Sequence, residues 1–516
     1  MNASELLPGH FNVATWFVDK NVAEGRGPAP AFRYQDRDLT YADVQDLVNR
    51  TGNALLGLGL EPEQRVLMAC LDAPEFIGTF WGTIKIGAVP IPTNTLMRTA
   101  DYLYFLNDSR AKAAVVSAPL LAEFGPALAE AKYLKHVLVA GGAPGPYTPY
   151  EELIAKASAK LSAAETSRDD PAYWQYSSGS TGFPKGAVHL QHDMVMCCET
   201  YGKQVLGIRP TDRVFSAAKL FFAYGLGATG FLPMSVGAQA MLYPQRPTPE
   251  GVFEAITRYR PTLFFGIPTL FAAMLAVKDA ETRFDASSLR LCVSAGEALP
   301  EELYNRWRER FGVEIVDGIG TTEIGYIFIS NRPGHTRPGS TGVAVPGYEL
   351  AIVDDDGRPV PPGEIGNIRV KGDSTMAYYW NKHEKTKETL FGQWIQTGDK
   401  YYQDEDGYYW YCGRSDDMLK VGGIWVSPVE VEATLVRHAA VLEAAVVGHE
   451  DTDRLVKPKA FVVLKEPVAD TAGLADELKA FVKDKIAVYK YPRWIEFVSE
   501  LPKTATGKIQ RFKLRA

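Results

Sequence analysis

The stretch Tyr176-Ser-Ser-Gly-Ser-Thr-Gly-Phe-Pro-Lys-Gly186 is the most informative part of this 516-residue sequence. Small residues let the backbone approach a ligand closely, and successive N–H groups and hydroxyls can surround phosphate oxygens. Lys185 adds a mobile positive charge. Gly and Ser content alone is more typical of a flexible surface loop, and the stretch is not a Walker loop, because no Gly-Lys-Ser/Thr follows at the required spacing. The sequence therefore does not support a P-loop kinase or a GTPase, but it is compatible with phosphate binding by this stretch.

Length and composition limit the classes of protein to which this chain can belong. At 516 residues the chain is too long for one ordinary core, so we expect two or more packed units. A net charge of -7 argues against a general nucleic-acid binder. The five cysteines follow neither disulfide nor zinc spacing, so we expect reduced, mostly buried thiols. Neither a secretory signal nor a membrane-spanning run is visible, which predicts a soluble cytoplasmic protein.

Apolar patterns predict the architecture of the N-terminal part. A threonine cap at Thr40 opens an amphipathic helix. Short apolar runs suited to buried strands follow at residues 65–71, 113–117 and 136–140. Short buried strands separated by helical stretches indicate an α/β domain of layered, largely parallel sheets.

The pattern changes after about Gly339. Segments 348–353, 366–371 and 408–412 predict short strands, and the acidic and Pro/Gly-rich stretches between them are typical of turns. We therefore expect a small antiparallel β unit beside the larger layers.

A small α+β lobe is predicted from Pro428 onward. Its predicted elements are a helix at 431–437, strands at 442–448 and 459–464, a helix at 473–486 and a strand at 494–498. We place the boundary within Gly413-Arg-Ser-Asp-Asp417. The expected fold is thus α/β, with a large N-terminal domain (1–415) followed by a small, mobile C-terminal lobe (416–516).

Further motifs follow the first stretch along the chain. They are Ser294-Ala-Gly-Glu297, Asp317-Gly-Ile-Gly-Thr-Thr-Glu323, Thr397-Gly-Asp399, Gly413-Arg414 and Pro502-Lys-Thr-Ala-Thr-Gly-Lys508. Each has an ordinary interpretation on its own, since Thr-Gly-Asp is usually a turn and a basic tail is usually a solvated face. Their ordered coincidence resembles the adenylate-forming superfamily, which contains acyl- and aryl-CoA synthetases, adenylation domains and luciferase.

The resemblance implies ATP and Mg²⁺ as ligands, with coenzyme A as co-substrate. It implies catalytic roles for Lys185, for Thr322 at phosphate, for Glu323 at Mg²⁺ and for Lys508. It further implies nucleotide or coenzyme A contacts at Ser177, Ser178, Gly179, Ser180, Thr181, Gly182, Gly296, Glu297, Asp317, Gly318, Ile319, Asp399, Arg414, Gly422 and Gly423. Asp416 corresponds to the hinge of the small lobe. Family members often have tyrosine where this chain has Ile319.

These residue types suit acid activation. A carboxylate that attacks the α-phosphate of ATP forms a mixed anhydride and releases pyrophosphate, and the enzyme must hold like-charged groups together. Glu323 with Mg²⁺, the N–H groups of the loop and Lys508 can do this without a side-chain nucleophile. A Ser-His-Asp hydrolase is disfavoured, because Ser180 does not lie in a Gly-x-Ser-x-Gly elbow.

The segment Ser216 to Gly227 and the segment Tyr489-Lys-Tyr-Pro-Arg493 resemble benzoate-CoA ligases, and this resemblance covers nearly the whole chain. It implies an aryl pocket lined by Phe222, Ala223, Tyr224, Gly225, Gly320, Gly325, Tyr326 and Ile327. Benzoate ligases tend to have leucine and then histidine where this chain has Gly325 and Tyr326. The smaller residue would open space and Tyr326 would offer a hydroxyl, so 4-hydroxybenzoate rivals benzoate as substrate.

Two other functions stay open. A stand-alone aryl-acid adenylation enzyme that loads a carrier protein would share every nucleotide motif. A nucleotide-binding interaction module without turnover is disfavoured by the presence of Glu323, Arg414 and Lys508. The expected partners are an aryl carboxylic acid, ATP and CoA, without nucleic acid or membrane, and a homodimer stays open.

Overall fold

Two sheets rich in parallel strands form the frame of the N-terminal part. A five-stranded, all-parallel sheet has the strand order Val89–Pro92, Arg65–Ala69, Ala113–Ser117, His136–Ala140, Thr148–Pro149. A nine-stranded sheet has the order Val343–Ala344, Ile327–Ser330, Ile315–Gly320, Leu291–Ser294, Leu263–Gly266, Arg213–Ser216, Gln239–Leu242, Pro30–Tyr34, Arg37–Thr40. The computed structural model describes residues 2–179, 182–415, 417–421, 424–452, 455–503 and 509–515.

The central strands are buried on both faces. All residues of Ala113–Ser117, Leu263–Gly266 and Leu291–Ser294 are buried, as expected for parallel strands packed between helices. In the described residues the α-helices are Ala3–Leu6, Tyr41–Gly57, Pro74–Lys85, Thr99–Ser109, Leu121–Phe124, Tyr150–Lys156, Asp193–Cys197, Ala223–Gly225, Pro249–Tyr259, Pro268–Leu275, Ala280–Arg283, Glu301–Phe311, His383–Thr389, Pro428–Val436 and Thr471–Lys485. The predicted helix after Thr40 begins with a capping box, in which Thr40 and Asp43 each accept from the other's backbone N–H.

Antiparallel strands make up the rest of the N-terminal part. One sheet has the order Glu349–Val353, Gly366–Lys371, Trp394–Gln403, Leu390–Phe391, and Tyr409–Arg414 also pairs with Trp394–Gln403. A second sheet has the order Tyr378–Tyr379, Gly182–Leu190, Pro171–Gly179. The predicted small β unit is therefore confirmed, and one of its strands matches the expected bounds 366–371.

The C-terminal lobe has its own sheet and core. Its strands lie in the order Val441–Glu450, Val456–Leu464, Trp494–Phe497, and the short strands Leu419–Val421 and Ile424–Val426 pair beside them. Buried side chains of the helices and strands form one apolar cluster, which includes Val431, Val446 and Leu478. The predicted α/β class, with a large N-terminal domain and a smaller C-terminal domain, is confirmed.

Polar contacts join the lobe to the N-terminal part. The Ser427 hydroxyl donates to the carbonyl of Cys412, which lies in the last N-terminal strand. That strand ends at Arg414, and the next strand, Leu419–Val421, already packs in the core of the lobe. We propose on this basis that the two domains divide at residues 415 and 416. All five cysteines are buried and free.

Candidate active site

The stretch of sequence that is predicted to bind phosphate lies in a β-hairpin rather than in an irregular loop. The strands Pro171–Gly179 and Gly182–Leu190 are antiparallel, and their register places Ser177 opposite Lys185. Ser178, Gly179 and Gly182 are described by their backbone alone, and the predicted site residues Ser180, Thr181, Asp416, Gly422, Gly423 and Lys508 lie outside the described residues. Their roles stay predictions.

The Glu323 carboxylate lies beside this hairpin and is held by two hydroxyls. The Ser177 hydroxyl donates to Oε1 at 2.8 Å and the Tyr379 hydroxyl donates to the same oxygen at 2.6 Å. The Lys185 ammonium lies 3.4 Å from the Tyr379 hydroxyl and 4.6 Å from the centre of its ring. The hairpin and the Asp317–Glu323 motif, which are far apart in sequence, are thus brought together. Tyr379 belongs to no sequence motif, and sequence reasoning missed it.

The surroundings of Glu323 favour its ionised form. Burial alone would raise the pKa of the carboxyl, but the Tyr379 hydroxyl, the Lys185 ammonium and the Ser177 hydroxyl together hold it below its usual value. An ionised carboxylate in a fixed orientation is a suitable ligand for Mg²⁺, which prefers oxygen. Among the described residues no group of three or more His, Cys, Asp or Glu side chains could hold a metal. A magnesium ion here would therefore depend on Glu323, together with water and a phosphate ligand.

Asp399 and Arg414 form a second polar pair. They lie opposite each other in neighbouring strands, and Arg414 Nη1 lies 3.2 Å from Asp399 Oδ1. The same nitrogen donates to the carbonyl of Thr397 at 3.1 Å. Gly398 has a φ of +80°, and a Cβ there would lie 3.0 Å from Arg414 Nη2, so the motif requires glycine at this position. The two side chains that the sequence assigns to a ribose are therefore adjacent.

The residues predicted to lie beside adenine are near the carboxyl ends of central parallel strands. Ser294 and Asp317 are paired in register, and both side chains are buried. Within the described part of the chain, Ser294 Oγ and Asp317 Oδ1 make no hydrogen bond. Burial raises the pKa of Asp317 to about 8. Ser294 and the backbone N–H groups of Leu299 and Gly318 nevertheless lower the pKa of Asp317, so this edge presents a buried polar cluster.

The remaining adenine-side predictions lie near this edge. Gly296 has a φ of +94°, which favours glycine, and it is exposed. A Cβ at Gly318 would lie 2.8 Å from the Ile329 carbonyl. Ile319 is partly buried against the main core, and Glu297 is partly buried.

Tyr224 is anchored at the same edge of the nine-stranded sheet. Its hydroxyl lies within hydrogen-bond distance of two carbonyls, Gly266 at 3.1 Å and Val293 at 3.0 Å, and can donate to either. Tyr326 stacks against Tyr224 with ring centres 6.3 Å apart and an angle of 28°. Gly320 and Ile327 are paired in register beside them. The structure thus brings the central residues of the predicted aryl pocket together.

Two details differ from the expectation for this pocket. Tyr326 is only 2% exposed and its hydroxyl donates to the Tyr224 carbonyl at 3.4 Å, so that hydroxyl already has a partner in the protein. Gly325 has a φ of +79°, and a Cβ there would meet His189 Cε1 at 3.3 Å and the Ser374 carbonyl at 3.4 Å. The space at Gly325 therefore faces His189 and not Tyr224.

The other predicted pocket residues flank Tyr224 in sequence. Phe222 packs on Phe221 with ring centres 4.3 Å apart, and Ala223 begins the short helix Ala223–Gly225. A Cβ at Gly225 would lie 2.1 Å from the Lys219 carbonyl, so a larger residue cannot replace glycine without moving the backbone.

Family models match most of the chain. The AMP-binding enzyme model matches residues 19–380, and the model of the AMP-binding enzyme C-terminal domain matches residues 430–508. The chain belongs to the AMP-binding enzyme family. It is 51% identical over 512 residues to the benzoate–CoA ligase of Thauera aromatica, covering 99% of this chain and 97% of that protein. It is 47% identical over 506 residues to the 4-hydroxybenzoate–CoA/benzoate–CoA ligase of Rhodopseudomonas palustris, covering 98% and 94%.

Solved structures are similar over the same length. The anthranilate CoA ligase AuaEII in complex with anthranoyl-AMP has a TM-score of 0.96 and 46% identity, with 100% of this chain and 98% of that chain covered. A benzoate CoA ligase from Burkholderia xenovorans LB400 has a TM-score of 0.91 and 47% identity, with 98% and 100% covered. The described residues contain no helix that is both long and apolar enough to cross a membrane.

Proposed function

We propose that this chain is an AMP-forming acid–thiol ligase that joins an aryl carboxylic acid to coenzyme A. Benzoate or a ring-hydroxylated benzoate reacts with ATP and CoA, through an aroyl-AMP intermediate, and the products are aroyl-CoA, AMP and pyrophosphate. The observation that carries the proposal is similarity over nearly the full length to two ligases whose names include benzoate. The arrangement of Glu323, the Asp399–Arg414 pair and Tyr224 supports it, because each suits a different part of the reactants.

In the first half-reaction a carboxylate oxygen of the acid attacks the α-phosphorus, and pyrophosphate leaves. Lys185 supplies positive charge beside the phosphate hairpin, and the Asp399–Arg414 pair suits the hydroxyls of a ribose. Glu323 would hold Mg²⁺, which neutralises charge on the phosphate oxygens when bound. No covalent bond to the protein is needed, since the residues act by orienting the two anions and by compensating their charge.

In the second half-reaction the CoA thiol attacks the carbonyl carbon of aroyl-AMP, and AMP leaves. We assign Lys508 to the first half-reaction and the Gly422–Gly423 segment to the second. A rotation of the lobe at Asp416 would exchange them. This assignment rests on the motif resemblance, because these four residues lie outside the described part of the chain.

The surroundings of Tyr326 refine the choice of acid. Its hydroxyl already donates to the carbonyl of Tyr224, and its ring is almost fully buried, so it could donate to a substrate hydroxyl only by giving up that partner. We therefore expect benzoate to be used at least as efficiently as 4-hydroxybenzoate.

A panel of acids tests this function. Benzoate, the hydroxybenzoates, 2-aminobenzoate and an aliphatic acid are each incubated with ATP and CoA, and AMP is measured with and without CoA. We expect aryl acids to give CoA-dependent AMP and the aliphatic acid to give little. Formation of ADP, or turnover only when a carrier protein replaces CoA, would contradict the proposal.

A further inference from the structure

The turn that carries Glu323 is held by a separate donor at each carbonyl. The short helix Thr322–Ile324 ends at Gly325. The carbonyl of Glu323 accepts from the Met376 N–H at 2.7 Å, and the carbonyl of Ile324 accepts from the Ser374 hydroxyl at 2.7 Å. The carbonyl of Thr322 accepts from the imidazole of His189 at 2.7 Å. Because all three contacts come from outside the turn, they determine where Thr322 and Glu323 lie.

His189 is fully buried and bonded on both sides of its ring. A carbonyl oxygen can only accept, so Nε2 carries the hydrogen that is donated to Thr322. The other nitrogen, Nδ1, lies 2.7 Å from Oδ2 of the equally buried Asp193, and one proton is shared by that pair. The Leu190 N–H donates to the same carboxylate oxygen at 3.1 Å. The ring stacks on Tyr173 with centres 4.9 Å apart and an angle of 14°.

Packing alone does not account for this pair. A buried carboxylate beside an imidazole is costly to desolvate, and an apolar ring of similar size could fill the space at lower cost. Neither His189 nor Asp193 takes part in the two proposed half-reactions. His189 lies in the same strand as Lys185 and four residues beyond it, so the two side chains lie on one face of the hairpin. His189 therefore connects the phosphate hairpin to the turn that carries the magnesium-binding carboxylate.

We propose that His189, oriented by Asp193, is a positioning residue for adenylation. It fixes the Thr322 carbonyl, and through it the Glu323 carboxylate, relative to the Ser177–Lys185 hairpin. The proposal rests on the proposed function, in which Thr322 contacts phosphate and Glu323 holds Mg²⁺. A small misplacement of such groups costs up to about a hundredfold in rate.

A matched pair of substitutions separates positioning from packing. In His189→Gln the amide nitrogen can take the place of Nε2 and donate to Thr322, but the contact with Asp193 is lost. In His189→Asn the amide nitrogen takes the place of Nδ1 and keeps Asp193 paired, but it cannot reach Thr322. We expect the Asn variant to lose about ten- to a hundredfold in kcat/KM for MgATP. The Gln variant should stay within a few-fold of the wild type.

The thermal stability of the two variants should rank in the opposite order to their activity. The Asn variant keeps the buried Asp193 paired and should melt at a higher temperature than the Gln variant, although it is the less active of the two. Conversion of supplied aroyl-AMP to thioester should be unchanged in both variants and shows that they are folded. Equal losses of MgATP kcat/KM in both, or a Gln variant that is less active than Asn, would overturn the proposal.

A second pair covers the case in which either variant fails to fold. Asp193→Asn can still orient the ring and should retain adenylation, whereas Asp193→Ala frees the ring and should impair it. Equal activity in these two variants would also overturn the proposal. Failure of the wild-type enzyme to form AMP from an aryl acid would refute the proposed function instead, so the two failures are distinguishable.

Discussion

Substitution of Gly227 by alanine tests the position of the aryl pocket. Gly227 lies in the π-helical turn Leu226–Phe231, and a Cβ there would lie 1.9 Å from Cε2 and 2.3 Å from Cδ2 of Tyr326. Carbon atoms in contact lie about 3.5–4.0 Å apart, so the ring would have to move by roughly 1.5–2 Å. Two other rings limit that movement, since Tyr201 lies 5.5 Å and Phe231 5.8 Å from Tyr326 between centres. Among the residues that the structure describes, the third ring in contact with Tyr326 is that of Tyr224.

Overpacking of this kind costs about 1–3 kcal/mol. If the ring of Tyr326 moves toward Tyr224, it occupies space in the aryl pocket. An aryl acid can then bind only if the ring returns to its strained position, so the strain energy of about 1–3 kcal/mol lowers kcat/KM for the acid. Because each 1.36 kcal/mol corresponds to a factor of ten, we expect a decrease of about 5- to 150-fold. The KM for ATP should change less, because the proposed ribose contacts of Asp399 and Arg414 lie in a different sheet.

The assay is benzoate-dependent exchange of pyrophosphate into ATP, with each substrate varied at saturation of the other. The control is the double variant Gly227→Ala/Tyr326→Ala, which removes the clashing ring and should recover part of the lost kcat/KM for the acid. An unchanged kcat/KM for benzoate, or an equal loss for ATP and benzoate, would show that Tyr326 does not border the acid.

Two further predictions concern Asp317 and the C-terminal lobe. Burial raises the pKa of Asp317 to about 8, above the usual value of about 3.9, so this carboxyl favours the folded state at low pH and loses that contribution as pH rises from about 4 to about 8. The melting temperature of Asp317→Asn, measured relative to that of the wild type, should therefore rise as pH increases from about 4 to about 8. A difference between the two melting temperatures that does not depend on pH would contradict the raised pKa of Asp317. Lys508→Ala should impair aroyl-AMP formation but not conversion of supplied aroyl-AMP to thioester, whereas Asp416→Pro should slow the thioester step more. Equal losses in both half-reactions would refute this division of labour.

Much of the fold follows from local patterns in the sequence. The apolar runs at 113–117 and 136–140 predict strands with the bounds that the structure has, because the buried parts of both strands consist mostly of consecutive apolar residues. The lobe is predicted nearly as well, since its helix at 473–486 is observed at Thr471–Lys485. Element ends are less certain because capping residues such as Asp470 set them.

The site is predictable only where a motif carries it. Asp399 and Arg414 can be assigned from motifs, although their contact depends on strand register. Tyr379 and His189 lie in no motif, and only the tertiary fold brings them to Glu323 and Thr322. The sequence also could not predict that a side chain at position 325 would project toward His189. That direction depends on the positive φ of Gly325, which is not visible in the sequence.

Isotope transfer shows whether an aryl carboxylate attacks the α-phosphorus of ATP. Benzoate labelled with oxygen-18 in both carboxylate oxygens is incubated with the enzyme, ATP and CoA, and the nucleotide products are examined by mass spectrometry. One labelled oxygen bridges carbon and phosphorus in aroyl-AMP and stays on phosphorus when the thiol attacks the carbonyl carbon. We expect AMP that carries one labelled oxygen, and pyrophosphate without label. Label in pyrophosphate or inorganic phosphate, or formation of ADP, would contradict it.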